Sequence, residues 1–235
     1  MNRPAWESFS NAVAGAATIA LMLVACSAAT AKQSSQSASP AGASASGPTV
    51  VYTKIFKSSY PEYVQIKVTP NGSCTADIRA LDDEASPQAC AIGQALAGKI
   101  FSLAGQLHNF NGVDLDIHRR IASLGQKTFA YENGAEKHQV SFNYTLDESA
   151  TQLQNIFEGL TRQEMDSSDL ERTMRYDVLG VNDVLIRIES DYANKLLPEP
   201  DRMLPMLDQV AADSKYVDLA RQKARALAAK IRATS

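Results

Sequence analysis

Alternating apolar and polar residues predict two β-hairpins in the middle of the chain. In the first, Pro70-Asn71-Gly72 is flanked by strand-like residues, and Gly72 suits the left-handed position of a three-residue turn. In the second, Asn133-Gly134 is a favoured two-residue turn. A further stretch rich in β-branched and aromatic residues precedes both. The five predicted strands are 49–57, 62–69, 73–81, 126–132 and 136–145.

The spacing within each hairpin predicts one apolar and one polar face, as a sheet covered on a single side requires. In the first hairpin the apolar cross-strand pairs are Val68 with Cys74, Ile66 with Ala76 and Val64 with Ile78. In the second, aromatic and β-branched residues share a face that we interpret as core rather than as a ligand platform. They are Phe129, Tyr131, Val140, Phe142 and Tyr144. This arrangement places His138 on the apolar face opposite Phe129, as a hydrogen-bonded structural residue.

Helical periodicity dominates the rest of the chain. Ser86-Pro87 predicts the start of a helix that ends before Asn109, with small residues that let it approach the sheet closely. Thr145 to Glu148 fits a capping box at the start of the C-terminal half. The further helices are expected to begin near Ser167-Ser168, after Gly180, near Met203 and at Lys215. The predicted fold class is α+β, with an antiparallel sheet of about five strands, one packed helix and a helical C-terminal half.

The N-terminus carries an uncharged segment, Ala12 to Ala25, that is too short to span a bilayer but suits a signal peptide. It ends in Leu23-Val24-Ala25-Cys26, which resembles the lipobox of bacterial lipoproteins. The resemblance covers residues 1 to 26 only. It implies cleavage before Cys26, acylation of the Cys26 thiol and amino group, and, with Ser27 following, sorting to the outer rather than the inner membrane. A plain secretory signal, cleaved for instance after Ala31, is the alternative.

Composition divides the chain into four parts. Residues 1–25 form the signal peptide, and 26–48 form a lipidated cysteine with a Ser/Ala/Gly-rich tether that has little to bury. Residues 49–146 supply the sheet and its helix, and 147–235 the helical part, which we expect to pack with the sheet as one domain. The formal net charge of −3 gives no basic excess that would indicate a nucleic-acid partner.

Two cysteines remain if Cys26 is lipidated. An exported compartment is oxidising, so Cys74 and Cys90 are candidates for a disulfide. The predicted elements speak against the bond, because Cys74 begins a strand whereas Cys90 falls in the helix expected after it. Both outcomes stay open on the sequence alone.

The densest group of potential metal ligands is His108, Asp114, Asp116 and His118. Apolar residues alternate with the last three, so an exposed strand or extended loop is the simpler interpretation, and it would spread them too far for one metal site. The sequence contains no nucleophile elbow, zinc-protease motif or glycine-rich phosphate loop. We therefore assign no catalytic residue, no metal ligand and no cofactor.

The leading functional hypothesis is a non-enzymatic lipoprotein of the bacterial envelope, held in the membrane by acyl chains on Cys26, that binds or scaffolds another envelope protein. One alternative is an envelope hydrolase that uses the four His and Asp residues above. A third is a lipid carrier, which would need an open apolar cavity between sheet and helices. The basic face of the last helix could contact anionic lipid, but we interpret it as a solvated face of a domain helix.

Overall fold

The computed structural model describes residues 47–57 and 59–234 and has an α+β fold. Six strands form one antiparallel sheet in the order β4-β3-β2-β1-β5-β6. The strands are β1 (Thr49–Ile55), β2 (Tyr63–Val68), β3 (Ser73–Arg79), β4 (Gln88–Ala91), β5 (Gln126–Asn133) and β6 (Glu136–Phe142). The helices are α1 (Gln94–Gln106), α2 (Glu148–Tyr176), α3 (Val181–Ala193), α4 (Leu204–Ala212) and α5 (Asp218–Arg232). The signal segment, Cys26 and the tether up to residue 46 lie outside the described residues.

The register of the first hairpin is confirmed. Val68 lies opposite Cys74, Ile66 opposite Ala76 and Val64 opposite Ile78. Gly72 has φ +83°, and a Cβ atom there would lie 2.2 Å from the Ile92 carbonyl oxygen. The Ile92 amide donates a hydrogen bond to the Gly72 carbonyl. Glycine is therefore required both by the turn and by the return of the chain after β4.

The turn of the second hairpin lies one residue later in the sequence than predicted. Asn133 pairs with Glu136, so the two turn residues are Gly134 and Ala135 rather than Asn133 and Gly134. Consequently His138 lies opposite Tyr131 and not opposite Phe129, which faces Val140. β6 ends at Phe142, and Tyr144 lies beyond the strand with an exposed side chain. The prediction that Tyr144 joins the buried aromatic face was wrong.

The predicted helix start at Ser86-Pro87 was also wrong. Residues 88–91 extend the sheet as β4, and α1 begins at Gln94 after the N-cap Gly93. Cys90 consequently lies directly opposite Cys74 in the β3–β4 ladder, where a disulfide joins them. The open edge of β3 offers backbone hydrogen bonds that a helix at these residues could not use, and a local capping signal carries no information about that edge.

Helix α2 runs unbroken through Ser167 and Ser168, where a new helix had been expected. Its N-cap is Asp147, whose carboxylate accepts a hydrogen bond from the Ala150 amide, and the helix is 29 residues long. Ser-Ser is a weak capping signal that tertiary packing overrides, since Asp166 and Leu170 on either side are buried.

The core consists of two clusters, and α2 contributes to both. Its first half packs on the sheet, where aromatic rings fill the interface: Phe157 stacks on Tyr52 at 5.2 Å between centroids, and Phe129 lies 5.7 Å from Tyr52. Its second half packs with α3, α4 and α5. Helix α5 buries an apolar stripe from Ala220 to Ile231. The described residues belong to one compact unit.

Candidate functional site

A cleft of about 370 Å³ lies beside the C-terminal end of β1. One wall is formed by β1 and the turn that follows it, and the other by α2 and α3. We call its aromatic and apolar lining residues Phe56, Tyr60, Pro61 and Met165 the rim, and the Tyr60 side chain is 84% exposed. The other lining residues are Tyr52, Lys54, Ser59, Val64, Glu158, Thr161, Arg162, Asp166, Asp169, Arg187 and Asp191.

Helical spacing places these charged residues together. On α2, Glu158, Arg162 and Asp166 follow one another at intervals of four residues and so lie on one face of the helix. On α3, Arg187 and Asp191 are also four residues apart. Packing of α3 against α2 therefore brings Arg162 and Asp166 together with Arg187 and Asp191.

Ion pairs connect α2 and α3 within their wall of the cleft. Arg187 Nε donates to Asp166 Oδ1 at 2.7 Å, and Arg187 Nη2 donates to Asp169 Oδ2 at 2.6 Å. Arg162 Nη1 lies 3.3 Å from Asp191 Oδ1. The acidic members Asp166 and Asp191 are buried, with side chains only 3% and 9% exposed, whereas Arg162 and Arg187 are 49% and 46% exposed. The carboxylates thus lie behind the guanidinium groups that face the cleft.

Asp166 has an incomplete set of partners. Its Oδ2 atom is buried and accepts no hydrogen bond from the described residues. Burial raises the pKa of the Asp166 carboxyl, Arg187 opposes this effect, and the neighbouring carboxyl of Asp191 adds to the increase.

Lys54 and Tyr52 of β1 hold Glu158 at the cleft wall. Lys54 Nζ lies 3.1 Å and Tyr52 Oη 3.4 Å from the same oxygen, Glu158 Oε1, which also accepts from Gln154 at 3.0 Å. Burial raises the pKa of Tyr52, and the adjacent Glu158 raises it further. The Tyr52 hydroxyl is therefore a fixed donor and not an acid at neutral pH.

The residues singled out as potential metal ligands lie elsewhere. His118 Nε2 and Asp114 Oδ2 are 2.7 Å apart on an exposed loop, and this hydrogen bond raises the pKa of His118. Asp116 Oδ1 accepts a long hydrogen bond, 3.4 Å, from the His118 amide, and His108 lies in the 3₁₀ turn after α1. Within residues 47–57 and 59–234, no three His, Cys, Asp or Glu side chains are arranged to hold a metal ion. The loop is not extended as expected, because it brings His118 back to Asp114.

The contacts of His138 and of the basic residues of α5 indicate structural roles. His138 Nε2 lies 3.0 Å from Glu136 Oε1 at the edge of the sheet. On α5, Lys223 and Lys230 both contact Glu189, and Arg232 contacts Asp208. The basic face of α5 is thus partly neutralised by acids of α3 and α4, which agrees with a domain helix more than with a lipid-binding face.

Sequence reasoning did not identify the cleft. Arg162, Asp166, Arg187 and Asp191 look like ordinary polar positions of amphipathic helices. The available signal was the i,i+4 alternation of Arg and Asp on two consecutive helices, which becomes meaningful only when the helices are known to pack together.

Comparisons with known proteins add no relationship: no family model matches the chain, and no curated protein is significantly similar to it. None of the helices in the described part of the chain has both the length and the apolar composition needed to cross a bilayer.

Proposed function

We propose that this chain is a lipoprotein of the bacterial envelope, anchored through acyl groups on Cys26, whose domain binds another envelope component in the cleft between β1, α2 and α3. The anchoring part of the proposal rests on Leu23-Val24-Ala25-Cys26 and on the Ser/Ala/Gly-rich tether that follows. Two or more acyl chains anchor a protein stably, whereas a single chain binds only marginally, and the outer membrane is the expected location.

The cleft is the observation that carries the binding role. A volume of about 370 Å³, an aromatic rim and a few fixed polar groups are typical of ligand sites. Tyr60 is a large exposed aromatic side chain at the rim, and such residues are frequent at binding surfaces. The interface between the sheet and the first half of α2, in contrast, is filled by the rings of Tyr52, Phe129 and Phe157.

A binding role also fits the acids of the cleft better than catalysis does. Glu158 Oε1 accepts hydrogen bonds from three side chains, and Asp169 contacts both Arg172 and Arg187. The unpaired oxygen of Asp166 is buried. A general acid or base must reach its substrate within hydrogen-bonding distance, and these carboxylates are already held by basic side chains or lie behind them.

Substitution Cys26→Ser tests the anchor. We expect the wild-type protein to sediment with membranes and to carry a diacylated N-terminal cysteine by mass spectrometry, and the variant to lose both properties. The double variant Cys74→Ser/Cys90→Ser is the matched control and should stay in the membrane fraction. An N-terminus beginning at Lys32, with the Cys26→Ser variant distributed like wild type, would establish a plain secretory signal instead.

Site-specific photocrosslinking in cells tests the binding role. A photoreactive residue in place of Tyr60 should form a discrete crosslinked product, whereas one in place of Leu219, an exposed apolar residue at the start of α5, should not. Equal products from both positions, or none from Tyr60, would count against the cleft as the binding surface.

A further inference from the structure

The two arginines that line the cleft have hydrogen-bond donors that no described residue uses. Arg162 has five N–H donors, and among the described residues only Nη1 is engaged, by Asp191. Arg187 uses Nε and Nη2 for Asp166 and Asp169, which leaves Nη1. Each guanidinium is about half exposed. A ligand entering the cleft therefore meets guanidinium N–H groups that donate to no described residue.

The acids behind these arginines orient them. Asp166 and Asp191 are nearly fully buried and each contacts one guanidinium, so the planar groups of Arg162 and Arg187 are held in place before a ligand arrives. Fixing an arginine in this way reduces the entropy lost when it binds a planar anion through two parallel hydrogen bonds.

From this inventory we infer that the cleft binds a carboxylate group, which Arg162 and Arg187 receive while an attached apolar or aromatic portion lies against the rim at Tyr60 and Met165. This inference rests on the proposed binding role and names the chemistry of the ligand. Carboxylate fits the fork of a guanidinium in one plane. Because the acidic residues of the lining outnumber its basic residues, we expect only millimolar affinity for a ligand fragment.

Three small aromatic probes test the assignment: benzoate, its neutral planar counterpart benzamide, and phenyl phosphate, whose anionic group is tetrahedral. The protein is purified with its disulfide intact from the fraction that it occupies, in detergent where it is membrane-bound. Binding is followed by NMR chemical-shift changes at low salt. We expect saturable millimolar binding of benzoate, at least fivefold weaker binding of benzamide, and weaker binding of phenyl phosphate.

Variants test whether binding needs the planar guanidinium donors or only a positive charge. Arg162→Lys keeps the positive charge but loses the planar pair of donors, so benzoate binding should weaken at least fivefold. Arg175→Lys is the matched control, because Arg175 is on the same helix, pairs with Glu171 and lies outside the cleft lining. Unchanged thermal unfolding of Arg162→Lys would show that the loss is local. If that variant is unstable, Arg187→Lys provides the same comparison.

The outcomes discriminate clearly. Equal binding of benzamide and benzoate, no saturation by benzoate below about 20 mM, or wild-type affinity in both lysine variants would overturn the carboxylate assignment. Tighter binding of phenyl phosphate would also overturn it, in favour of a phosphate ligand. None of these results depends on the anchor, so failure here is distinguishable from failure of the Cys26→Ser test.

Discussion

Removing the cross-strand disulfide should destabilise the protein by about 3 kcal/mol. Cys74 and Cys90 are 16 residues apart in sequence and pair directly in the β3–β4 ladder. Closing a loop of that length restricts the unfolded chain by roughly 3 kcal/mol in the chain-entropy description. Because a domain has only about 5–15 kcal/mol of stability in total, this loss would be a large fraction of it. β4 has only four residues and lies at the sheet edge, so it should open first.

The assay is urea unfolding of the oxidised wild-type protein and of Cys74→Ala/Cys90→Ala, followed by circular dichroism. With a slope of about 2 kcal/mol per molar urea, the midpoint should fall by more than about 1 M. Wild-type protein unfolded in the presence of a reductant is the control and should match the double variant. Amide exchange at residues 88–91 should accelerate in the variant. Identical midpoints for the oxidised protein and the variant would refute the loop-closure argument.

Three further predictions concern the aromatic core, the buried Lys127 and the buried Asp166. Phe157→Ala, which removes a fully buried ring from the aromatic cluster, should cost about 3–5 kcal/mol in urea unfolding, whereas truncation of exposed Tyr176 should cost little. Lys127→Met should cost about 2 kcal/mol in the same measurement, because the carbonyls of three residues lose the donor Lys127 Nζ; the exposed Lys67→Met is its control. Since the pKa of Asp166 is raised in the folded state, its ionisation opposes folding. Wild type should therefore gain stability relative to Asp166→Asn as pH falls from 7 towards 4, and a parallel pH dependence of the two proteins would contradict this.

Strand pairing within the first hairpin was predictable because it depends on local information. The turn Pro70-Asn71-Gly72 and the alternation on either side fix which residues face each other, and the structure has the same pairs. The second hairpin was predicted in position but not in register at its turn, because Asn133-Gly134 and Gly134-Ala135 are both compatible with a two-residue loop. One residue of difference moved His138 from Phe129 to Tyr131.

Strand β4, which is additional to the five predicted strands, was not predictable from its own residues. Gln88–Ala91 has only four residues, and the preceding Ser86-Pro87 is a good helix start. Its strand conformation comes from pairing with β3, which is a tertiary contact. The same contact brings Cys90 opposite Cys74, so the argument against the disulfide failed together with the helix assignment on which it depended.

The sequence by itself determined the α+β class, the antiparallel hairpins and the C-terminal helices, because apolar periodicity and turn residues act over a few positions along the chain. It also supplied the basis for the proposed lipid anchor, which is a linear motif and needs no fold. Only the tertiary structure decided that α2 is one continuous helix, that Cys90 faces Cys74, and that Arg162, Asp166, Arg187 and Asp191 meet in a cleft. These features depend on which surfaces pack together, and that is set by burial of the whole core and not by any single segment.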